Sequence, residues 1–288
     1  MPLTTNNPLK MTLFKFDLLE GYPELIHGIS TRHAPQNPLW PEIQPERSDE
    51  YKVGGANLGL ADEVILKRRA ELLAACGGDW QKHSSSLTSG YQVHSANVAV
   101  IGPEAYGANH TWRNSIPETD GLVTDLPGLP LLTGHADCPP ILFYDPQQKV
   151  IGAAHSGWRG TVSKIAGAMV RVMVETYSCQ PENILAGIGP SIGACCYTFG
   201  GPGLAEVEKA FGRDMLAELL PYQPDGSRTF DLWAAIRHTL LEAGLKAENI
   251  ETSELCSQCR HDTFFSYRAT PPELRGKQGN YAALIMLV

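Results

Sequence analysis

Cys138 and His155 bracket a segment that reads as a tight hairpin. The runs from His135 to Tyr144 and from Lys149 to His155 are strand-like, and Asp145-Pro-Gln-Gln148 between them has the composition of a four-residue turn. If Tyr144 pairs with Lys149, Cys138 lies directly across from His155 with both side chains on one face. Opposed Cβ atoms in an antiparallel pair sit ~4.5–5.5 Å apart, from which a thiolate and an imidazole can hold one metal ion. Leu142 and Ile151 make one face of the hairpin apolar and Ile141, Phe143 and Val150 the other, so both strands should be interior. A small buried cysteine and a hydrogen-bonded histidine are the commoner fate of such a pair. Two local features favour a site instead: Cys138 lies between Asp137 and Pro139-Pro140, and His155 opens the glycine-bearing turn Ser156-Gly-Trp-Arg-Gly160. His94, in Gln92-Val-His-Ser95, is the third ligand candidate and is expected inside a strand.

The turn after His155 leads into a helix, so free backbone N–H groups and the positive end of the helix dipole should face the same place. That arrangement suits an anion. Arg159 adds a planar fork for phosphate or carboxylate, and Gly157 and Gly160 allow close backbone approach.

The elements that must position these residues alternate along the chain. Strands are expected at Leu25 to Thr31, Tyr91 to Ile101, Gly121 to Asp125, Pro130 to Thr133, Ile141 to Tyr144, Val150 to His155, Ile184 to Ile188 and Asn280 to Val288. Helices are expected at Asp62 to Cys76, Thr161 to Tyr177, Gly203 to Leu220 and Leu232 to Ala243. Residues 1–10 read as a flexible tail and residues 11–288 as one catalytic domain, with a proline-rich surface loop from Pro35 to Asp49. The pattern predicts an α/β (α+β) domain with mixed sheets.

The chain has 288 residues, 43% of them hydrophobic and 19% charged, enough to bury a sizeable core. Its net charge of −8 and lack of basic runs argue against nucleic acid as a partner. No stretch approaches a membrane span or a secretory leader. Seven unevenly spread cysteines, with Cys195 and Cys196 adjacent, fit reduced thiols and a cytoplasmic location. Cys256-Ser-Gln-Cys259 resembles half a zinc knuckle, but no second pair at suitable spacing follows, so it is expected to be a bystander. Gly187-Ile-Gly-Pro-Ser-Ile-Gly193 fails the dinucleotide fingerprint, because its third glycine is one residue late.

Eight motifs, in order, resemble the YfiH-like family, formerly called multicopper polyphenol oxidases or laccases and now regarded as purine nucleoside phosphorylases. They are Ser30-Thr-Arg32, Gly54-Gly-Ala-Asn-Leu-Gly59, Gln92-Val-His94, Thr119-Asp-Gly-Leu-Val-Thr124, Ala136-Asp-Cys-Pro139, His155-Ser-Gly-Trp-Arg-Gly160, Gly187-Ile-Gly-Pro-Ser-Ile192 and Phe265-Ser-Tyr-Arg268. The resemblance implies a layered fold with sheets inside and helices outside, and zinc held by His94, Cys138 and His155, with copper a possible occupant in vitro. Three protein ligands leave a tetrahedral ion one open position, the pattern of a catalytic site.

The implied reactions are phosphorolysis of adenosine, inosine, guanosine and methylthioadenosine, and deamination of adenosine. The partners are then purine nucleosides and phosphate, without nucleic acid or membrane, and the enzyme is a monomer or small homo-oligomer. Arg159 leads as phosphate anchor, with Arg32 and Arg268 assisting; Asp137 would orient a ligand and Asn57 would touch the nucleoside. Ser156, Ser95 and Lys277 depart from the usual family pattern, and Lys277 loses a bidentate fork. The rival readings are a cysteine hydrolase or amidase built on Cys138 and His155, a phenol oxidase, a binding module with structural zinc, and a role in editing peptidoglycan precursors. Nine histidines without paired His-X-His motifs weigh against multicopper chemistry.

Overall fold

The computed structural model describes residues 3–6, 11–32, 62–107, 115–275 and 279–288. Two six-stranded sheets dominate it. The first contains, in spatial order, β1 (Leu3–Thr4), β2 (Leu13–Phe14), β3 (Leu25–Ser30), β12 (Tyr281–Leu287), β7 (Leu131–His135) and β4 (Thr88–Ser89). The second runs β11 (Ile250–Thr252), β10 (Leu185–Ile188), β8 (Pro140–Asp145), β9 (Val150–His155), β6 (Gly121–Thr124) and β5 (Val98–Val100). Both are mixed: β4 joins β7 in parallel, as β5 joins β6 and β10 joins β11, while the remaining pairs are antiparallel.

The period-2 alternation of β8 and β9 sorts their side chains between two cores. Leu142, Tyr144 and Ile151 join Ile29, Leu131 and Ile285 in the core between the sheets. Ile141, Phe143 and Val150 face the other way, onto Ile165, Met169 and Met173 of the helix Ile165–Tyr177 and Ile236 and Leu240 of the helix Leu232–Glu242. That helix seats closely because β6 and β9 present glycines under it. A Cβ on Gly121 would come within 2.6 Å of Met169 Sδ, and one on Gly152 within 2.7 Å of its Cε. On the far side of the first sheet Cys76, just after the helix Asp62–Ala75, reaches β3, where a Cβ on Gly28 would meet its Sγ at 2.6 Å. The layers are therefore helix, sheet, sheet, helix, in one mixed α/β domain as expected.

Several boundaries differ from the sequence reading. Tyr91 to Ile101 is a strand only at Val98–Val100, because the amides of residues 93–95 turn to meet a side chain described below. The helix expected from Gly203 to Leu220 breaks at Gly212, whose φ of 80° no helix accepts, into Gly203–Phe211 and Leu216–Leu219. The helix expected from Thr161 is two, Trp158–Val162 and Ile165–Tyr177, separated at left-handed Lys164. Within residues 1–10, Leu3–Thr4 pair with β2 rather than trailing free. The Pro35 to Asp49 loop lies outside the described residues, and among those described no helix is long and apolar enough to cross a membrane.

His27, in β3, is 2% exposed, and its Nε2 accepts the Phe16 N–H at 3.0 Å, so the ring is neutral. Burial first, and the Lys15 charge second, push its pKa down to about 3. An unfolded histidine takes a proton below ~6.5 while the folded one refuses it until about 3, so stability must fall as pH drops through that window. The slope from this one group is at most about 1.4 kcal/mol per pH unit. Melting temperatures recorded from pH 7 to 4 should decline less steeply for His27→Gln than for the parent; parallel curves would refute the assignment.

Candidate active site

The hairpin forms two residues out of the expected register. Asp145 pairs with Val150 and Pro140 with His155, so Cys138 lies beyond the end of β8 rather than opposite His155. The cause is local: Asp145 Oδ1 accepts the N–H groups of Gln147 and Gln148 at 2.8 and 3.1 Å, which keeps Asp145 in the strand. The loop then occupies residues 146–149, and Lys149 closes it with φ 56°. A shift of two preserves the face, and Cys138 still reaches His155 from the adjoining turn.

His94 is not in a strand. It sits in a loop with φ 64°, an uncommon value for a side-chain-bearing residue, and Asp120 at the head of β6 holds it there. Asp120 Oδ1 accepts His94 N–H at 3.0 Å, while Oδ2 accepts Val93 N–H at 3.1 Å and both the N–H and hydroxyl of Ser95 at 2.8 Å. Gln92 adds a two-point brace to β7, donating to Gly134 O at 2.9 Å and accepting from Gly134 N–H at 2.8 Å. The same Asp120 Oδ1 meets His155 Nδ1 at 2.8 Å. With Nδ1 so engaged, Nε2 is the nitrogen left to face Cys138.

The donor atoms of His94, Cys138 and His155 all lie within 4.8 Å of one another, and His94 Nε2 is 3.9 Å from Cys138 Sγ. Tetrahedral zinc with its usual bond lengths separates sulfur and nitrogen ligands by about 3.6 Å, so the three fit around one ion. Burial raises the Cys138 thiol, but His155 and His94 outweigh it and bring the pKa to about 6. Burial likewise depresses His155, yet Cys138 and Asp120 lift it to about 9. Asp120 is driven up by burial and down by His155 and Ser95, which prevail at about 2. The donor set is thus already anionic at sulfur and oriented at nitrogen.

Gly157 leaves the room an ion needs. A Cβ there would stand 2.5 Å from His94 Cδ2 and 3.1 Å from Cys138 Sγ. Gly157→Ala should therefore lower zinc content by an order of magnitude in affinity, roughly the cost of a disturbed ligand geometry, with the far-ultraviolet circular dichroism unchanged. Normal zinc occupancy in that variant would contradict this packing.

A cavity of about 650 Å³ opens over the three donors. Arg159 and Arg268 line it as expected, Arg159 stacked on Trp158 at 4.4 Å and Arg268 lying over Tyr197 at 5.3 Å. Sequence reasoning missed Arg69, which is 2% exposed and lines the same cavity; burial lowers its pKa only to about 10, so it stays cationic. Its signal was a helix position that places a charge on the buried face.

Arg32 is not among the residues lining the cavity. Its Nη1 donates to His261 O at 2.8 Å and its guanidinium lies over Phe265, so it clamps the 261–265 segment instead. Asp137, with φ 83°, also differs from expectation: its carboxylate accepts Ser257 Oγ–H at 2.6 Å and Arg268 N–H at 2.7 Å, and no metal-ligand side chain. The carboxylate that meets one of the three candidate ligands is that of Asp120, at His155 Nδ1. Asn57 and Lys277 lie outside the described residues.

The chain is similar to several known proteins. The family described as "Multi-copper polyphenol oxidoreductase laccase" matches residues 50–288. A purine nucleoside phosphorylase of Bacteroides thetaiotaomicron is 34% identical over 257 residues, covering 88% of this chain and 89% of that protein. Adenosine deaminase RL5, from an unknown prokaryotic organism, is 37% identical over 206 residues, 71% of this chain and 76% of its own. Among solved structures, the Bacillus licheniformis hypothetical protein YfiH superposes with a TM-score of 0.81 at 27% identity, over 100% of this chain and 99% of that one.

Proposed function

The chain belongs to the multi-copper polyphenol oxidoreductase laccase family, the YfiH-like proteins, and from that membership we propose that it is a cytoplasmic, zinc-dependent purine nucleoside phosphorylase that also deaminates adenosine. His94, Cys138 and His155 would hold the zinc, which supplies a Lewis acid with one position open to the cavity. Asp120 keeps the His155 ring in the tautomer that presents Nε2. Arg159, Arg268 and Arg69 supply the positive charge that phosphate requires, and a phosphate so held would stabilise cationic character developing on the ribose. Trp158, Tyr91, Tyr197 and Tyr267 line the same cavity, giving a purine ring aromatic surfaces to lie against.

The observation that carries the reading is the convergence of a three-donor metal set and three guanidinium groups on one cavity. The test is incubation of the purified protein with inosine, with and without phosphate, while following hypoxanthine. Base release that depends on phosphate is the expected result, and its absence would remove the proposal. Adenosine in the same assay, followed as inosine formation, tests the deaminase.

One observation favours a second reading. Cys138, His155 and Asp120 also form a thiolate, imidazolium and carboxylate series of the kind that serves nucleophilic hydrolysis. A cysteine hydrolase would keep its activity in chelator and lose it on thiol alkylation. The zinc enzyme loses activity in chelator and recovers it when zinc is returned.

A further inference from the structure

The sequence offers Cys256-Ser-Gln-Cys259 no matching pair at knuckle spacing, but the fold brings one from elsewhere. Cys195 and Cys196 occupy a turn after β10, and the sulfurs of Cys195, Cys196, Cys256 and Cys259 all lie within 4.8 Å of one another. Cys259 Sγ is 3.6 Å from Cys195 Sγ and 3.4 Å from Cys196 Sγ. These separations are far longer than a disulfide bond of about 2.05 Å. They approach the roughly 3.8 Å that four thiolates adopt around tetrahedral zinc with 2.3 Å bonds. The group is therefore no bystander pair, and it is separate from the His94–Cys138–His155 centre.

We propose that Cys195, Cys196, Cys256 and Cys259 form a second metal site, a closed tetrathiolate site for one zinc ion whose role is structural. The surrounding backbone is arranged for it. Gly193 N–H donates to Cys256 Sγ at 3.3 Å, the kind of bond that disperses charge on a ligating thiolate. The two segments are held in register by Ser191 N–H to Leu255 O at 3.2 Å and Ser257 N–H to Ser191 O at 2.8 Å. Binding takes Zn²⁺ from solution and releases the thiol protons to solvent, with no change of oxidation state.

The site ties down parts of the cavity wall. Ser257, inside the Cys256–Cys259 turn, donates to Asp137 Oδ1, and Ile192 N–H donates to Asp137 O at 2.9 Å, so both halves of the cluster hold the residue that precedes Cys138. Tyr197, the residue after Cys196, lines the cavity. A metal bridging the two segments would fix this wall without contacting substrate.

Elemental analysis of protein purified from zinc-supplemented culture tests the site. The parent should carry about two zinc ions per chain, Cys138→Ala about one, Cys259→Ser about one and the combined variant about none. Cys259→Ser should also melt roughly 5 °C or more below the parent. If that variant does not fold, Co²⁺ titration of folded Cys138→Ala supplies the measurement. With Cys138 gone, sulfur-to-cobalt charge-transfer absorption saturating at one equivalent has to come from the four-cysteine cluster.

A parent with a single zinc that disappears in Cys138→Ala would overturn the second site and leave the catalytic centre standing. A single zinc lost in Cys259→Ser but kept in Cys138→Ala would support this site and sink the catalytic one. A disulfide among the four cysteines in freshly purified protein, or no cobalt band in Cys138→Ala, would also overturn the proposal.

Discussion

Cys138→Ala is expected to abolish phosphate-dependent base release, lowering kcat/KM for inosine by roughly 10³-fold or more, because two histidines alone hold zinc weakly and lose the sulfur that neutralises it. The competing effect is structural damage, and magnitudes separate the two. Cys138 follows Asp137, whose hydrogen bonds to Ser257 Oγ, Arg268 N–H and Ile192 N–H survive the substitution, so the turn keeps its anchors. Loss of one small side chain should cost on the order of 1–2 kcal/mol, well inside a typical stability margin. Measured together, kcat/KM, bound zinc and melting temperature should show a large loss, one missing ion and a small shift. An active Cys138→Ala enzyme would end the catalytic-metal account.

Substitutions at Asp120 should produce the next largest effect, and they should divide by chemistry. Asp120→Ala strips the acceptor from Val93, His94 and Ser95 amides and from His155 at once. A buried donor left unpaired costs about 1–3 kcal/mol, and because the three amides are only part-buried while His155 is buried, a loss of roughly 3–5 kcal/mol and a misplaced His94 loop are expected. Asp120→Asn retains one oxygen for His155 and His94 but turns an amide toward Ser95. It should therefore unfold less readily than the alanine variant while still binding zinc roughly 10–100-fold more weakly than the parent. Urea titration and competition with a chromophoric chelator measure the two quantities. Equal zinc affinity in Asp120→Asn and the parent would show that His155 needs no charged partner at Nδ1.

Much of this architecture was legible from residue order, for reasons that individual residues make plain. The two apolar faces of the β8–β9 hairpin were read correctly because side-chain period survives an error of two residues, and for the same cause Cys138 and His155 met despite a misplaced loop. What fixed the loop was the Asp145 side chain bonding to its own downstream amides, a choice between adjacent turns that composition cannot make. β12 was expected as a central strand from its unbroken apolar run, and it lies between β3 and β7.

Asp120 escaped notice because its importance comes from amides 25 to 27 positions away, and a lone aspartate before an apolar strand looks like a turn residue. The meeting of Cys195 and Cys196 with Cys256 and Cys259 was hidden for the same reason: two loops converge through β10 and β11, whose parallel pairing has no signature in local sequence. Arg32 failed as a cavity residue because a carbonyl and an aromatic ring nearer to it claimed the guanidinium first.

The brace made by Asp120 bears on which ion such a centre carries. Its donors are fixed by the chain before any ion arrives, so the frame has little freedom to contract or flatten in favour of one guest. Geometry then works against the inherent ranking of divalent ions for nitrogen and sulfur, because copper(II), which that ranking places above zinc, prefers a flattened arrangement that zinc does not need. Zinc should accordingly be displaced by copper(II) less readily than the ranking alone would give.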